Sequence, residues 1–319
     1  MAQSGSFDFT LTRDNLIDLA HQHVGMVGEG ESATTNQITE ASRLLNMIIE
    51  LRAADGMPAW AMRRGYVLPL HDVSVMNTDS HVVTAYDTTT LAADAAASAT
   101  ALTVASITGF SNGDQLGIEL DSGNIDWTTI NGAPSGTTIT ATTGLTTAAS
   151  SGNRVYGYTA SSQRVQKPIR ITQADLLDVA NGTSIDIEIV SHNKYFSISN
   201  RTTEGNPNTI YYNLEPSTLT ALETNGQIFF YPRFSGGDYI IEFTYQRPLQ
   251  DVDATGDNLD FPRAFLLPVM LELAALLGPK AGLSIEERRA LFLEAKMYRD
   301  EALQTVVPEG SLLIQPNID

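Results

Sequence analysis

The stretch FPRAFLLPVMLELAALLG, residues 261–278, carries one charged side chain, Glu272, between Ala264 and Leu277. A membrane-spanning helix needs about 20 consecutive apolar residues, and this stretch is shorter and is interrupted by Pro268. A helix that is apolar on all sides is covered by its neighbours in the fold. The stretch therefore predicts a core helix, with a kink or a restarted first turn near Pro268.

Amphipathic segments at both ends of the chain accompany this helix. Near the N-terminus, residues 12–25 and 35–55 carry apolar side chains at helical spacing. Residues 284–304 begin with Ser284 and Glu287 in the reciprocal S-x-x-E capping pattern. One stripe of this last segment contains Ile285, Leu291, Phe292, Ala295, Tyr298, Ala302 and Leu303. Packing the N-terminal and C-terminal helices together would bury these apolar faces.

The middle of the chain has the patterning of strands. Its short segments are rich in β-branched and aromatic residues, which favour strands over helices. They include GYVLPL (65–70), HVVTAYD (81–87), NTIYYNLE (208–215) and GDYIIEFTYQRPL (237–249). Several of these segments lie next to Gly or Asn turns, so we expect a central antiparallel β region.

Residues 87–158 differ in composition from the segments around them. They are rich in Thr, Ala and Gly and contain one basic residue, Arg154, against six acidic residues. Short strand-like runs alternate with the turn sequences SNGD, DSG, NGAPSG and SSGN, in which Gly or Asn supplies a positive φ. This pattern predicts a small all-β module inserted into a host domain.

Together these patterns predict an α+β fold. A helical bundle is built from the N- and C-terminal helices, with a central antiparallel β region and an inserted small all-β domain. The discontinuous body is predicted over residues 1–86 and 159–305, and the inserted module over residues 87–158. The apolar tail over residues 306–319 either folds back on its own body or lies on a neighbour.

The charge and composition narrow the classes of function. With 19 Lys and Arg against 37 Asp and Glu, the formal net charge is −18. Such a surface repels phosphate over most of its area, which disfavours a general DNA-binding function. The chain has no cysteine, which excludes disulfides, thiolate metal sites and Cys nucleophiles. The N-terminus lacks a basic start followed by an apolar core, so we expect no signal peptide.

The histidines and acidic loops predict no metal site. His21 and His23 are two residues apart on a helix and point in different directions, so they cannot readily hold one ion. The loop DVDATGDNLDFP, residues 251–262, imitates the start of a calcium loop but has Pro262 where the bidentate Glu belongs. We expect its last acid, Asp260, to cap the following helix.

The sequence predicts no catalytic site and no cofactor. Asp121 and Asp126 could form a glycosidase-like pair of carboxylates, but neither a His partner nor a catalytic motif accompanies them. The serines have no G-x-S-x-G setting. A cell-wall or polysaccharide hydrolase therefore remains only as an alternative to a structural protein.

The order of elements resembles a family of phage proteins. Residues 11–65, LTRDNLIDLAHQHVGMVGEGESATTNQITEASRLLNMIIELRAADGMPAWAMRRG, contain a DLI-like opening helix, a VG…GE loop, a long helix with LLN, and then DGMPAWA. FFYPRF and YIIEFTYQRPLQDVD…DNLDFP precede paired helices. Across residues 10–70 and 165–305 the chain resembles head-to-tail adaptors, also called tail accessory factors or packaged-DNA stabilisation proteins, of short-tailed phages.

The resemblance implies a structural virion protein of the neck or tail, assembled in the host cytoplasm. Copies of the chain would form a dodecameric ring beneath the portal protein, which completes the head and retains the packaged DNA. The ring would also support a downstream tail or nozzle protein. DNA would pass through its lumen without sequence-specific binding, and we expect no membrane partner.

The resemblance also implies which regions form contacts. The long N-terminal helix and the C-terminal helices would form the ring wall, and the C-terminal tail, residues 306–319, would be a docking arm. The residues assigned to the oligomer or portal interface are Leu44, Ile48, Leu51, Glu272, Tyr298, Leu312, Leu313 and Ile314. We expect Glu272 to reach solvent or to meet an arginine, and a pairing across subunits would support the ring.

The inserted module allows several interpretations. Its large aromatic residues Phe110, Trp127 and Tyr156 are assigned to a contact surface. This surface could bind carbohydrate, decorate the particle or add a layer to the ring, and an interaction module that faces outward or toward the tail is favoured. A host-binding tail protein that acts through residues 87–158 is therefore a further alternative.

Overall fold

The computed structural model describes residues 9–54, 61–214 and 225–306. The helices are α1 (Arg13–His23), α2 (Thr35–Ala54), α3 (His192–Phe196), α4 (Leu266–Ala281) and α5 (Ile285–Val306). The strands are β1 (Met62–Val67), β2 (Val75–Asn77), β3 (Val82–Val83), β4 (Asp87–Thr90), β5 (Ala101–Thr103), β6 (Gln115–Glu119), β7 (Ile125–Thr129), β8 (Thr138–Thr140), β9 (Arg154–Tyr158), β10 (Arg170–Asp178), β11 (Ser184–Asp186), β12 (Glu188–Ile189), β13 (Glu204–Gly205), β14 (Thr209–Asn213), β15 (Gln227–Tyr231), β16 (Arg233–Phe234) and β17 (Tyr239–Gln246).

The prediction of a fold built on a helical bundle is wrong. Within the described residues, 17 strands arranged in five sheets dominate over five α-helices. The sequence interpretation treated the strands as an addition to a helical body. Instead, the strands bury aromatic and β-branched cores of their own, so the β region is not an addition to a helical body.

The chain divides into two compact units. One contains the described residues up to Ala61 and from Leu249 onward, and the other spans Met62–Pro248. The predicted body over residues 1–86 and 159–305 is therefore split between the two units. The predicted module of residues 87–158 lies within the second unit, together with the strands on either side of it.

In the helical unit, α4 packs against α1, α2 and α5. Its buried side chains include Val269, Leu271 and Leu273. The window Arg263–Ala281 has the length and the mean hydropathy, 1.5, of a membrane span, but 61% of it is buried inside the structure. Because most of this apolar helix is buried by its neighbours, α4 is the core helix that the sequence predicts.

The start of α4 explains how Pro268 is accommodated. A 3-10 turn at Arg263–Phe265 precedes the helix, so Pro268 is the third α-helical residue, where a backbone N–H has no acceptor inside the helix. The predicted restarted first turn near Pro268 is therefore confirmed. The expectation for Asp260 is wrong, because its Oδ2 accepts a hydrogen bond from the Gln250 amide at 3.1 Å and Phe265 is the N-cap residue.

In the β unit, β17 is the central strand of a five-stranded sheet with the order β11-β10-β17-β1-β3. Opposite Phe243 on this strand lies Gly65 of β1. A Cβ atom at Gly65 would approach the Phe243 ring to 2.5 Å, so the ring covers the glycine. A second sheet, with the order β12-β14-β15-β2, contributes Ile210, Ile228 and Phe230 to the same core as Phe243.

Residues 87–158 form a four-stranded antiparallel sheet, β4-β9-β6-β7, and a two-stranded ladder, β5-β8. The first and last strands pair directly, with Asp87 opposite Gly157, so the two ends of the segment lie side by side. The segment has its own apolar core, and a second cluster joins its Tyr156 and Tyr158 to Ile240 of β17. The segment is thus packed onto the adjoining strands.

Candidate functional site

The outer face of α5 carries exposed apolar side chains. Helix α5 begins with the predicted capping pair, in which the Ser284 amide donates to Glu287 Oε2 at 2.8 Å and the Glu287 amide donates to Ser284 Oγ at 3.2 Å. Ala295 and Ala302 are buried. Since these two residues are two helical turns apart, the fully buried part of α5 is a narrow stripe.

Large apolar side chains occupy the open side of α5. Leu293 and Met297 are 61% and 57% exposed and lie on one face because they are four residues apart. The same shallow groove is lined by Lys296, Asp300, Glu301 and Gln304. The predicted buried stripe is wrong at three positions, because Ile285, Phe292 and Leu303 are exposed. Sequence reasoning also missed Leu293 and Met297, which lie outside the assigned stripe.

Helix α2 exposes a second apolar pair. Met47 is 67% exposed and Leu51 is 54% exposed, and these residues are also four apart. On the adjoining faces of the helix, Ile48 and Ile49 are buried. Both α2 and α5 therefore bury one face and present apolar side chains from another, a pattern that is typical of helices with a further partner.

Glu272 lies inside the helical unit and is paired within its own chain. Arg52 Nη2 donates to Glu272 Oε1 at 2.8 Å, and Arg52 Nε donates to Oε2 at 3.1 Å. A third charge, Arg299 Nη1, lies 3.8 Å from Oε1. The expectation of an arginine partner is confirmed, but the pair links α2, α4 and α5 of one chain. Its carboxylate is therefore paired with arginines of its own chain.

The other residues assigned to the interface occupy different environments. Leu51 is exposed, Leu44 and Tyr298 are half-buried, and Ile48 is buried. Leu312, Leu313 and Ile314 lie outside the described residues, as does the assigned arm beyond Val306. Within the described part of the chain, Leu51 is thus the assigned apolar residue that is most available for contact.

The aromatic residues assigned to the contact surface of the module face inward. Phe110 and Tyr156 are buried, and the Tyr156 hydroxyl donates a hydrogen bond to the Gly237 carbonyl. Trp127 is half-buried, and its Nε1 donates to the Pro69 carbonyl at 3.2 Å. The interpretation of these three rings as an outward surface is therefore corrected: Trp127 and Tyr156 attach residues 87–158 to neighbouring segments of the β unit.

A histidine completes this aromatic attachment. The His81 ring stacks on Trp127 with 4.0 Å between ring centroids, and its Nδ1 lies 3.1 Å from the Tyr158 hydroxyl. Burial, assisted by the positive charge of Arg164, lowers the pKa of His81 to about 4. The imidazole is thus neutral near pH 7 and packs as an aromatic ring between the module and the strands beside it.

The two carboxylates of the hydrolase alternative hold turns in place. Asp121 accepts hydrogen bonds from the Ser150 amide at 2.7 Å and from Asn153 Nδ2 at 3.0 Å. The bonds from Ser150 hold the pKa of Asp121 below its usual range. Asp126 accepts from the amide and the hydroxyl of Thr146. Each carboxylate is therefore engaged by local donors, Asp121 in a turn and Asp126 on β7.

The candidate metal ligands lie in three places: helix α1, the calcium-like loop and a cluster in the β unit. His21 is buried, with Nδ1 2.9 Å from the Ile17 carbonyl oxygen, while His23 is exposed. In the calcium-like loop, Asp257 accepts from the backbone amides of Asp253 and Ala254. One cluster could hold a cation: the ligand atoms of His71, Asp72 and Glu204 lie within 4.8 Å of one another. Their separation along the sequence concealed this cluster.

Comparison with known proteins matched no family model and no curated protein.

Proposed function

We propose that this chain is a structural protein that assembles with copies of itself through the exposed apolar face of α5. The observation that carries the proposal is the exposure of Leu293 and Met297 on a helix that buries only a narrow stripe. Burying a large apolar side chain in an interface contributes about 1.5–3 kcal/mol to the free energy of association. Monomeric proteins rarely leave contiguous apolar patches of this kind uncovered.

The apolar pair on α2 provides a matching surface. In an antiparallel contact between α2 of one copy and α5 of the next, Met47 meets Met297 and Leu51 meets Leu293, because both pairs have a spacing of four residues. Rows of residues at this spacing pack into one another at helix contacts. Two different surfaces that meet in this way form a heterologous interface, and such an interface closes into a ring when its rotation permits.

The charges beside the two pairs support the same register. Arg43 lies four residues before Met47 on α2, and Glu301 lies four residues after Met297 on α5; both are exposed. The antiparallel contact therefore places a guanidinium opposite a carboxylate. Charge complementarity of this kind fixes register and suppresses wrong pairings more than it adds affinity.

The biological setting that we propose is the phage neck. The resemblance to head-to-tail adaptors supports a ring beneath the portal that completes the head, retains the DNA and carries the tail. The net charge of −18 supports a ring lumen through which DNA slides without being held, since carboxylates repel phosphate. In this setting the partners are the portal protein, other copies of the chain and a downstream tail or nozzle protein.

Sedimentation of the purified chain, alone and mixed with portal protein, tests this function. We expect weak, concentration-dependent association alone and a ring on the portal. Leu293→Glu together with Met297→Glu should abolish the ring. Ile185→Glu is a matched control, because Ile185 is 64% exposed but lies on β11 of the other unit. Failure of the wild-type chain to bind portal would contradict the adaptor function, and a ring that survives the α5 changes would contradict the role of α5.

A further inference from the structure

Four side chains of the β unit converge where two turns meet a short parallel ladder. His71 and Asp72 lie in the turn between β1 and β2, and Glu204 lies on β13. Strand β13 pairs with β16 so that Glu204 is opposite Arg233. The fold thus joins an imidazole, two carboxylates and a guanidinium from three separate parts of the sequence.

The histidine of this cluster makes no hydrogen bond in the structure. His71 Nδ1 is buried without a partner, and Nε2 lies 3.8 Å from Asp72 Oδ2, beyond hydrogen-bond range. Arg233 Nε is also buried without a hydrogen-bond partner. Among the described residues, His71 Nδ1 and Arg233 Nε are the two buried side-chain nitrogen or oxygen atoms that lack a partner. Unpaired buried polar atoms cost about 1–3 kcal/mol each, so their coincidence at one place indicates a missing bound group.

The donor set indicates what that group is. One ligand atom from each of His71, Asp72 and Glu204 lies within 4.8 Å of the others. A tetrahedral zinc site with bonds of about 2.0–2.2 Å separates its ligand atoms by roughly 3.4 Å. Asp72 and Glu204 are exposed, so their side chains can rotate to close the difference. An imidazole nitrogen with carboxylate oxygens suits Zn²⁺, whereas Mg²⁺ prefers oxygen ligands alone.

Arg233 orients one of the carboxylates. Its Nη1 lies 3.1 Å from Asp72 Oδ1, while Oδ2 is the oxygen that faces His71. A ligating carboxylate is commonly held by such an outer hydrogen bond, which fixes its orientation. Two carboxylates and one guanidinium leave one net negative charge for a divalent cation to offset.

We propose that His71, Asp72 and Glu204 form a Zn²⁺ site, with Arg233 as a positioning residue for Asp72. The site joins the turn after β1 to the β13-β16 ladder and completes its coordination with water. It is independent of α5 and of self-association, since all four residues belong to the β unit.

Titration calorimetry of the full chain, after removal of metals with a chelator, tests the site. We expect one saturable Zn²⁺ site per chain, and Co²⁺ should produce the visible absorption of a four-coordinate nitrogen and oxygen site. His71→Gln and Glu204→Gln should each weaken Zn²⁺ binding more than about 100-fold, and Arg233→Gln should weaken it about 10-fold to 100-fold. His192→Gln, which changes an exposed histidine outside the cluster, should bind as the wild-type chain does.

The variants distinguish this site from adventitious binding. Glu204 is exposed, so Glu204→Gln should leave the fold intact, as circular dichroism would show, even if His71→Gln does not. Absence of saturable binding in the wild-type chain would overturn the proposal. Equal binding in the Glu204→Gln, His192→Gln and wild-type chains would show an adventitious ion only and would overturn it as well.

Discussion

Arg52 and Glu272 form a bidentate ion pair inside the helical unit, with nitrogen to oxygen distances of 2.8 and 3.1 Å. The pair joins α2 to the apolar helix α4. Removal of one member of a buried pair costs about 3–5 kcal/mol, and the loss of Arg52 leaves Glu272 with only the more distant Arg299, 3.8 Å from Oε1. We therefore expect Arg52→Met to lower the free energy of unfolding by about 3 kcal/mol, as measured by urea denaturation.

The double variant Arg52→Met with Glu272→Leu is the matched control for this pair. Replacing both charges with apolar side chains removes the buried carboxylate together with its bidentate partner, so it should restore most of the lost stability. Arg299 then keeps Asp300, 3.7 Å from its Nε, as an ion-pair partner. If the double variant is as unstable as Arg52→Met alone, the account of Glu272 as an internal ion-pair partner is wrong.

The attachment of residues 87–158 should depend on Trp127. This residue stacks on His81 and donates to the Pro69 carbonyl. Trp127→Ala should lower the free energy of unfolding by about 2 kcal/mol, below the range for a fully buried Trp because Trp127 is half-buried. Limited proteolysis should then cut this segment faster than in the wild-type chain. Unchanged cleavage of Trp127→Ala would argue against the attachment.

Stability should fall in mild acid because of His81. The folded protein lowers the pKa of His81 from 6.5 to about 4, so folding disfavours its protonated form. The contribution of neutral His81 to the free energy of unfolding is fully present above pH 6.5. It is lost as the pH falls from 6.5 to about 4. The expected loss is about 3 kcal/mol.

Denaturation curves recorded between about pH 7 and pH 4 measure this effect. His81→Phe keeps a ring to stack on Trp127 and removes the titrating group, so its pH dependence should be shallower than that of the wild-type chain. An identical slope for His81→Phe and the wild-type chain would contradict the assignment to His81.

The close contact between Gly65 and Phe243 predicts a steric effect. A Cβ atom at Gly65 would approach the Phe243 ring to 2.5 Å, so Gly65→Ala forces the ring or the strand to move. Overpacking of this kind costs about 1–3 kcal/mol. Gly256→Ala is the control, since a Cβ atom there meets nothing within 4 Å. Equal melting temperatures for the two variants would contradict the packing described for β1 and β17.

Local patterns allowed several elements to be predicted from the sequence. The S-x-x-E pattern placed the start of α5 because Ser284 and Glu287 satisfy each other's backbone amides within one turn. Pro268 indicated a restarted helix because the ring constrains its own backbone. Such features depend on neighbours in sequence, so residue types and spacing are sufficient to detect them.

Features that depend on contacts distant in sequence could not be predicted. Arg52 is 220 residues from Glu272, and Glu204 meets His71 only because β13 pairs with β16. The helical bundle was predicted in error because amphipathic periodicity is conspicuous in helices, whereas a large β core is distributed over many short strands. Periodicity also showed that α5 has an apolar stripe, but it could not show that much of the stripe stays exposed.

A charge-reversal experiment tests the proposed contact between α2 of one copy and α5 of the next most directly. Arg43→Glu and Glu301→Arg should each weaken self-association and ring formation on the portal about 5-fold or more, since each change places like charges together. The double variant restores opposite charges and should recover assembly, as measured by sedimentation equilibrium. Recovery in the double variant is the result that the account predicts. Additive weakening, or no effect of either change, would contradict it.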